Sequence, residues 1–285
     1  MKYPIVIAAF GSTTRARQIY GHIDARLKER FAGHEIVWAY NSRIVRHKMK
    51  QKAVDLPPPA EVFEDLAARG CEWAVVQSLN MICGHEFHRL KDEALKGPLR
   101  VSIGHSLLCS TGDFFKAADA MGPVFEKDPR EAVVFVGHGT DHCAWSVYPA
   151  FESLLRQKYG HRAFVGVVEG EWPDCDAVVA AVHSAGFRRV RLLPLMLVAG
   201  VHFEEDLAGP EDSWKCRFEE QNIQVSLEQA GLGCHPAIID IFGDHIESAL
   251  DVIPGCDPAA HPDHDRHAPA IRPDKTRSKK KKIKE

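Results

Sequence analysis

The chain has 285 residues, 45% hydrophobic and 26% charged, a composition ordinary for a globular protein with room for about two domains. Its 36 Lys and Arg against 39 Asp and Glu give a net charge of −3, but Lys275 to Glu285 carries +6 and leaves the rest at −9. An acidic body argues against a duplex nucleic-acid binder. The eight cysteines form no Cys-x-x-Cys pair, no basic and apolar leader precedes the first strand, and the apolar runs are too short for a membrane span. The expectation is a soluble, reduced, cytoplasmic chain with no nucleic-acid or membrane partner, whose cysteines serve as small buried hydrophobes. Homo-oligomerisation is left open.

In chain order, apolar runs predict strands at 5–10, 35–40, 73–81 and 99–103, with helical periodicity over 14–31, 59–69, 86–95 and 111–120. The segment Gly122 to Arg130, with two prolines, reads as a crossover. Beyond it, strands are predicted at 133–136, 163–168, 190–198 and 224–227, and helices at 145–159, 174–185, 212–220 and 236–252. The alternation implies an α/β fold: two similar domains, 1–125 and 126–253, each a central parallel sheet flanked by helices with a cleft between them. Residues 254–285 form a His- and Pro-rich, then basic tail. In it His261, His264 and His267 recur at intervals of three, a pattern that could bind a metal or be a plain hydrophilic linker.

The halves repeat each other. Ile5 to Ser12 matches Val133 to Thr140, with Phe10 where the second half has His138, and Gly84-His85-Glu86-Phe87 matches Gly200-Val201-His202-Phe203, with Glu86 opposite His202. His138 sits between Gly137 and Gly139 directly after an apolar strand, His202 follows another strand, and Glu169 follows a third. Open parallel sheets bind ligands at such strand ends. Two imidazoles and a carboxylate from three strands suit a divalent first-row ion with open positions. From the residues alone, a turn-capping role for either histidine and a satisfied strand-end role for Glu169 remain alternatives. The Gly-His-Gly-Thr turn lacks both nucleotide-binding glycine patterns, so no nucleotide is expected. Ser102, Ser106 and Ser110 lack a nucleophile elbow.

Val136-Gly137-His138-Gly139-Thr140-Asp141-His142, Val167 to Gly170 and Leu193 to His202 resemble the anaerobic, class II sirohydrochlorin cobaltochelatases. Further resemblance lies in Asp206 to Gly209, Asp212 to Lys215, and Gly231 to Gly233. Phe10-Gly11-Ser12, Asn41-Ser42-Arg43 and the Gly84 segment extend it, so that it spans about residues 4–250. The chain departs from that pattern at Asn41, His85, His88 and Glu171-Trp172. The resemblance implies a chelatase-like lyase of cobalamin biosynthesis that inserts Co2+ into sirohydrochlorin, with Fe2+ or Ni2+ as other candidate ions. A ferrochelatase making sirohaem, or a non-catalytic tetrapyrrole or metal carrier, are the alternatives. It further implies that His138, Glu169 and His202 hold the metal, that His138, His202 and Glu86 act in catalysis, and that Phe10, Gly11, Ser12, Ser42 and Met81 meet the substrate. Phe87 and Phe203 are further candidates for the cleft wall, and Arg15, Arg17, Arg43, Arg89 and Lys215 for a cationic rim facing carboxylates.

Overall fold

A computed structural model describes residues 2–170 and 172–254; the tail histidines and the basic run lie outside the described residues. The first sheet contains β1 (Ile5–Ala9), β2 (Ile36–Tyr40), β3 (Trp73–Ser78) and β4 (Arg100–Gly104), all parallel, in the order β2-β1-β3-β4. The second contains β5 (Ala132–Gly137), β6 (Ala163–Val167), β7 (Arg189–Pro194) and β8 (Gln224–Leu227), also parallel, in the order β6-β5-β7-β8. The two sheets therefore share one topology, and the α/β reading of the sequence holds.

The helices are α1 (Ile19–Arg30), α2 (Arg43–Lys50), α3 (Pro59–Ala68), α4 (His85–Lys96), α5 (Thr111–Ala120) and α6 (Gly122–Glu126) in the first half. They continue with α7 (Val147–Tyr159), α8 (Cys175–Ser184), α9 (Trp214–Glu220) and α10 (Pro236–Asp251). Central strands are buried on both faces, which is why they read as unbroken apolar runs rather than alternations. Alternate side chains still go to different layers. Val6 and Ala8 meet Val62, Phe63, Leu66 and Leu90 of α3 and α4, whereas Ile5 and Ile7 join a cluster that also holds Val133 and Phe135 of the other sheet. That shared cluster fuses the halves into one core.

Several boundaries differ from the sequence reading. β3 ends at Ser78 rather than near residue 81, and β7 at Pro194 rather than near 198. Leu195, Met196 and Leu197 remain buried, but after Leu195, whose N–H still donates to the Val136 carbonyl at 2.7 Å, the chain turns out of the ladder. Their carbonyl partners come from elsewhere: Leu232 and Gly233 donate backbone N–H groups to Met196 and Leu197 at 2.8 and 2.9 Å. A side chain on Gly231 would meet the Leu197 carbonyl at 2.6 Å, which explains that Gly-Leu-Gly turn. Two helices went unread. α2 is capped by Ser42 and buries Val45 and Met49, and α6 occupies part of the crossover.

The last helix, assigned by its place in the sequence to the second half, packs against β3, β4, α1 and α5 of the first. Its face carrying Ile238, Ile241, Phe242, Ile246 and Leu250 covers the first sheet. Polar contacts fix it there. Arg26 forms a two-pronged pair with Asp240 at 2.7 and 2.6 Å. Arg30 lies across Gly243, donates to Glu247 at 2.9 Å, to the Asp240 carbonyl at 2.9 Å and to Asp244 at 2.6 Å. Among the described residues no helix is long and apolar enough to cross a membrane.

Arg30 is thus the hub of the α1–α10 contact, with only 20% of its side chain exposed. Arg30→Ala leaves Glu247 without this cation, Asp244 with Lys116 in its place, and the Asp240 carbonyl without this donor. We expect a stability loss of about 2 kcal/mol, within the range for charge-assisted hydrogen bonds. Urea denaturation followed by circular dichroism measures it, and an unchanged midpoint would refute the hub role.

Candidate metal site in the cleft

The strand order explains how residues distant in sequence meet. His138 follows β5, Glu169 lies just after β6, and His202 follows β7, and β6, β5 and β7 are neighbours in that order. The parallel ladder brings all three chain ends out on the same edge, at the usual strand spacing of about 4.8 Å. Ligand atoms of His138, Glu169 and His202 all lie within 4.8 Å of one another. The two imidazole centroids are 4.6 Å apart with the rings nearly perpendicular. His138 Nε2 is 3.8 Å from Glu169 Oε1. The three side chains are 47%, 62% and 39% exposed in sequence order, open enough for an ion to reach them.

Backbone geometry sets this arrangement. The Glu169 N–H donates to the His138 carbonyl at 2.7 Å, tying the two loops. Gly139 adopts φ +93°, and a Cβ there would sit 1.5 Å from the Glu169 carbonyl oxygen, so no other residue fits. Its N–H donates to the Tyr148 hydroxyl at 3.1 Å. Burial pushes that phenol above its ordinary pKa, partly offset by the Gly139 hydrogen bond, so it stays neutral.

His202 opens a π-helical turn, Phe203–Leu207, and its Nδ1 is 2.8 Å from Asp206 Oδ2. A carboxylate at this position accepts a hydrogen bond from Nδ1–H and so leaves the Nε2 lone pair free to bind an ion. His138 Nδ1 makes a longer contact, 3.4 Å, with the Gly139 carbonyl. Asp206 was not singled out from sequence as a positioning group, although its spacing of four from His202 places it one turn away. The widened turn had no sequence signal beyond that acidic run.

The remaining expected site residues divide. Glu86 is half-buried in the first turn of α4 and stands outside the tight triplet. Phe10, half exposed at the end of β1, offers an apolar face. Gly11 adopts φ +97° beside Val45, and Ser12 reaches across to the second half, since a Cβ on Gly200 would lie 3.5 Å from its hydroxyl. Ser42 is buried, its hydroxyl accepting from the Val45 N–H at the start of α2, so it serves the local fold rather than an open surface. Met81 packs against the shared core, and Phe87 and Phe203 are buried, so these three do not form a free wall.

A groove of about 660 Å3 runs between the halves, lined by Thr14, Arg15 and His22 on one side and Ala199, Glu204 and Gly231 on the other. Arg15 is the rim cation the structure places there; Lys215 lies on α9, 3.9 Å from Glu219. Trp145 and Trp172 are half exposed and edge-to-face at 6.0 Å, and Trp172, part of the Glu171-Trp172 departure from the family pattern, lies three residues beyond Glu169.

The chain matches the model of the cobalt chelatase family CbiK over residues 4–251. It is 31% identical over 262 residues to the sirohydrochlorin cobaltochelatase of Salmonella typhimurium, covering 88% of this chain and 98% of that one. It is 32% identical to the sirohydrochlorin cobaltochelatase CbiKC of Nitratidesulfovibrio vulgaris, covering 88% and 92%. The solved structure of SirB from Bacillus subtilis with Fe3+ superposes with a TM-score of 0.63 at 17% identity, covering 90% of this chain and 99% of that one, a likeness of fold. Model, relatives and geometry together place this chain in the CbiK family of cobalt chelatases.

Proposed function

We propose that the protein inserts Co2+ into sirohydrochlorin, using the cleft edge of the second sheet to hold the incoming ion. The observation that carries this reading is the convergence of His138, Glu169 and His202 at the ends of three adjacent strands. The relatives' named activity supports the choice of substrate.

Insertion exchanges two pyrrole N–H protons for one divalent ion, so the site must hold the metal, release it, and accept protons. Imidazole nitrogens and one carboxylate bind a first-row dication while leaving positions open for water or pyrrole nitrogen. Three ligands make a grip that the four nitrogens of a macrocycle can outcompete. As the four ring nitrogens replace the three protein ligands, the two nitrogens that carry N–H each pass their proton to a base, so that two protons leave for one dication. The freed imidazole of His138 or His202 accepts one as a general base. Glu86, from the other half, is the acceptor for the second. Phe10 supplies an apolar surface for a flat ring, and Arg15 and His22 in the groove suit its carboxylate fringe.

Initial rates of sirohydrochlorin metallation with Co2+, Fe2+ and Ni2+ under anaerobic conditions test the reading. His138→Ala and His202→Ala each lower the Co2+ rate by about 10²–10⁴-fold with tetrapyrrole binding retained. A wild-type protein that binds sirohydrochlorin and never metallates it would overturn the proposal in favour of a carrier. Asp206→Asn keeps the shape but loses the anion that orients His202. Its Co2+ affinity falls about 10–100-fold, as measured by competition with a chromogenic chelator, and an unchanged affinity would remove Asp206 from the site.

A further inference from the structure

A second set of ligating side chains gathers where the halves meet, and the insertion steps above do not use it. α4 starts with His85 and carries His88 one turn later, while the loop after β5 supplies Asp141, His142 and Cys143. His85 Nε2 is 2.8 Å from Asp141 Oδ1. The His142 ring is 5.0 Å, centroid to centroid, from both His85 and His88. Cys143 Sγ lies 3.7 Å from His142 Nδ1. The two segments are neighbours at this point, since a Cβ on Gly84 would lie 3.9 Å from the Thr140 side-chain hydroxyl.

Two imidazoles bound to one first-row ion, with nitrogen bonds of about 2.1 Å at near-tetrahedral or right angles, have centroids roughly 4.6–5.3 Å apart. The inner pair, His138 and His202, falls at 4.6 Å. Both outer pairs, at 5.0 Å, fall in the same window. The outer ligands are less tightly drawn together than the inner three, and they are open to solvent, with His85 55% and Asp141 90% exposed. Three imidazoles with one carboxylate favour a divalent transition ion over Mg2+ or Ca2+, which take oxygen sets.

We propose that His85, His88 and His142, with Asp141, form a second divalent-metal site at the cleft rim, from which the ion passes to His138, Glu169 and His202. His138 and His142 share the loop that follows β5, which joins the two sites along the chain. Ion binding replaces the hydrogen bond that now joins His85 to Asp141. His142 currently uses Nδ1 to accept the Ala144 N–H at 3.1 Å. Coordination through Nε2 moves the ring proton to Nδ1 and opens that single cap. The loading role rests on the insertion reading, whereas the site itself does not.

The test is equilibrium dialysis of the full chain against Co2+, anaerobic and without tetrapyrrole. Three proteins are compared: wild type, the double variant His138→Ala/His202→Ala, and the triple variant His85→Gln/His88→Gln/His142→Gln. Expected is one fewer Co2+ in the triple variant than in wild type, with the outer ion retained in the double variant. The triple variant also raises the KM for Co2+ more than it lowers kcat. Unchanged stoichiometry and affinity in a natively folded triple variant would overturn the site. If the triple variant fails to fold, His85→Gln and His88→Gln singly replace it, and unchanged Co2+ affinity in both overturns the site equally. A lost outer ion with unchanged KM overturns the loading role alone, and two bound ions in a wild type with no turnover would count against the insertion reading instead.

Discussion

The candidate site depends on one close approach, the passage of the Glu169 carbonyl over Gly139. Any side chain at 139 would collide with that oxygen at 1.5 Å. Because the approach is allowed, the loops after β5 and β6 can lie against each other, joined by the hydrogen bond from the Glu169 N–H to the His138 carbonyl. The bond fixes where His138 and Glu169 leave the backbone. The third ligand needs no such contact with its neighbours, since the β5–β7 pairing of Val136 with Pro194 sets the position from which the chain runs on to His202.

The same frame exists in the first half without the same chemistry. The Ser42 N–H donates to the Phe10 carbonyl at 3.2 Å, as the Glu169 N–H does to that of His138. Gly11 donates to the Tyr20 hydroxyl at 3.2 Å, as Gly139 does to Tyr148 at 3.1 Å. Thr14 caps the turn that follows with its side chain, as His142 does. Phe10 and Ser42 therefore stand at the backbone positions of His138 and Glu169, while Glu86 answers to His202 in the repeat. The duplicated scaffold offers two sets of three positions, and only the second carries two imidazoles and an anion. Ser42, with its hydroxyl turned back to cap α2, could not serve as a ligand without uncapping that helix.

This correspondence is why the central features could be read from the sequence. Buried parallel strands leave continuous apolar runs, and each run ended in a glycine-bounded polar turn, so Ile5–Ala9 and Ala132–Gly137 were visible with their following residues. What escaped was whatever depends on long-range partners. The buried run Leu195–Leu197 looks like more of β7 because apolar content does not reveal that Leu232 and Gly233 take its carbonyls. The docking of α10 on the first sheet follows from Arg26 and Arg30 meeting Asp240, Asp244 and Glu247, pairs more than 200 residues apart. Ser42 was expected on the substrate side from the family resemblance of Asn41-Ser42-Arg43, and its hydroxyl is held locally as the cap of α2, accepting from the Val45 N–H.

The asymmetry between the halves has a chemical rationale. A chelatase has to present an ion to one face of a ring while the opposite face is supported and its protons are removed, and symmetrical metal ligation on both sides would trap the ion rather than transfer it. In the proposed mechanism Phe10 and Glu86, standing where the second half has imidazoles, give the first half an apolar and a proton-accepting group in place of a ligand set. The shared core that joins Ile5 and Ile7 to Val133 and Phe135 then keeps the two unlike edges in register. On this view duplication supplied the geometry, and a few substitutions at strand ends supplied the direction of transfer.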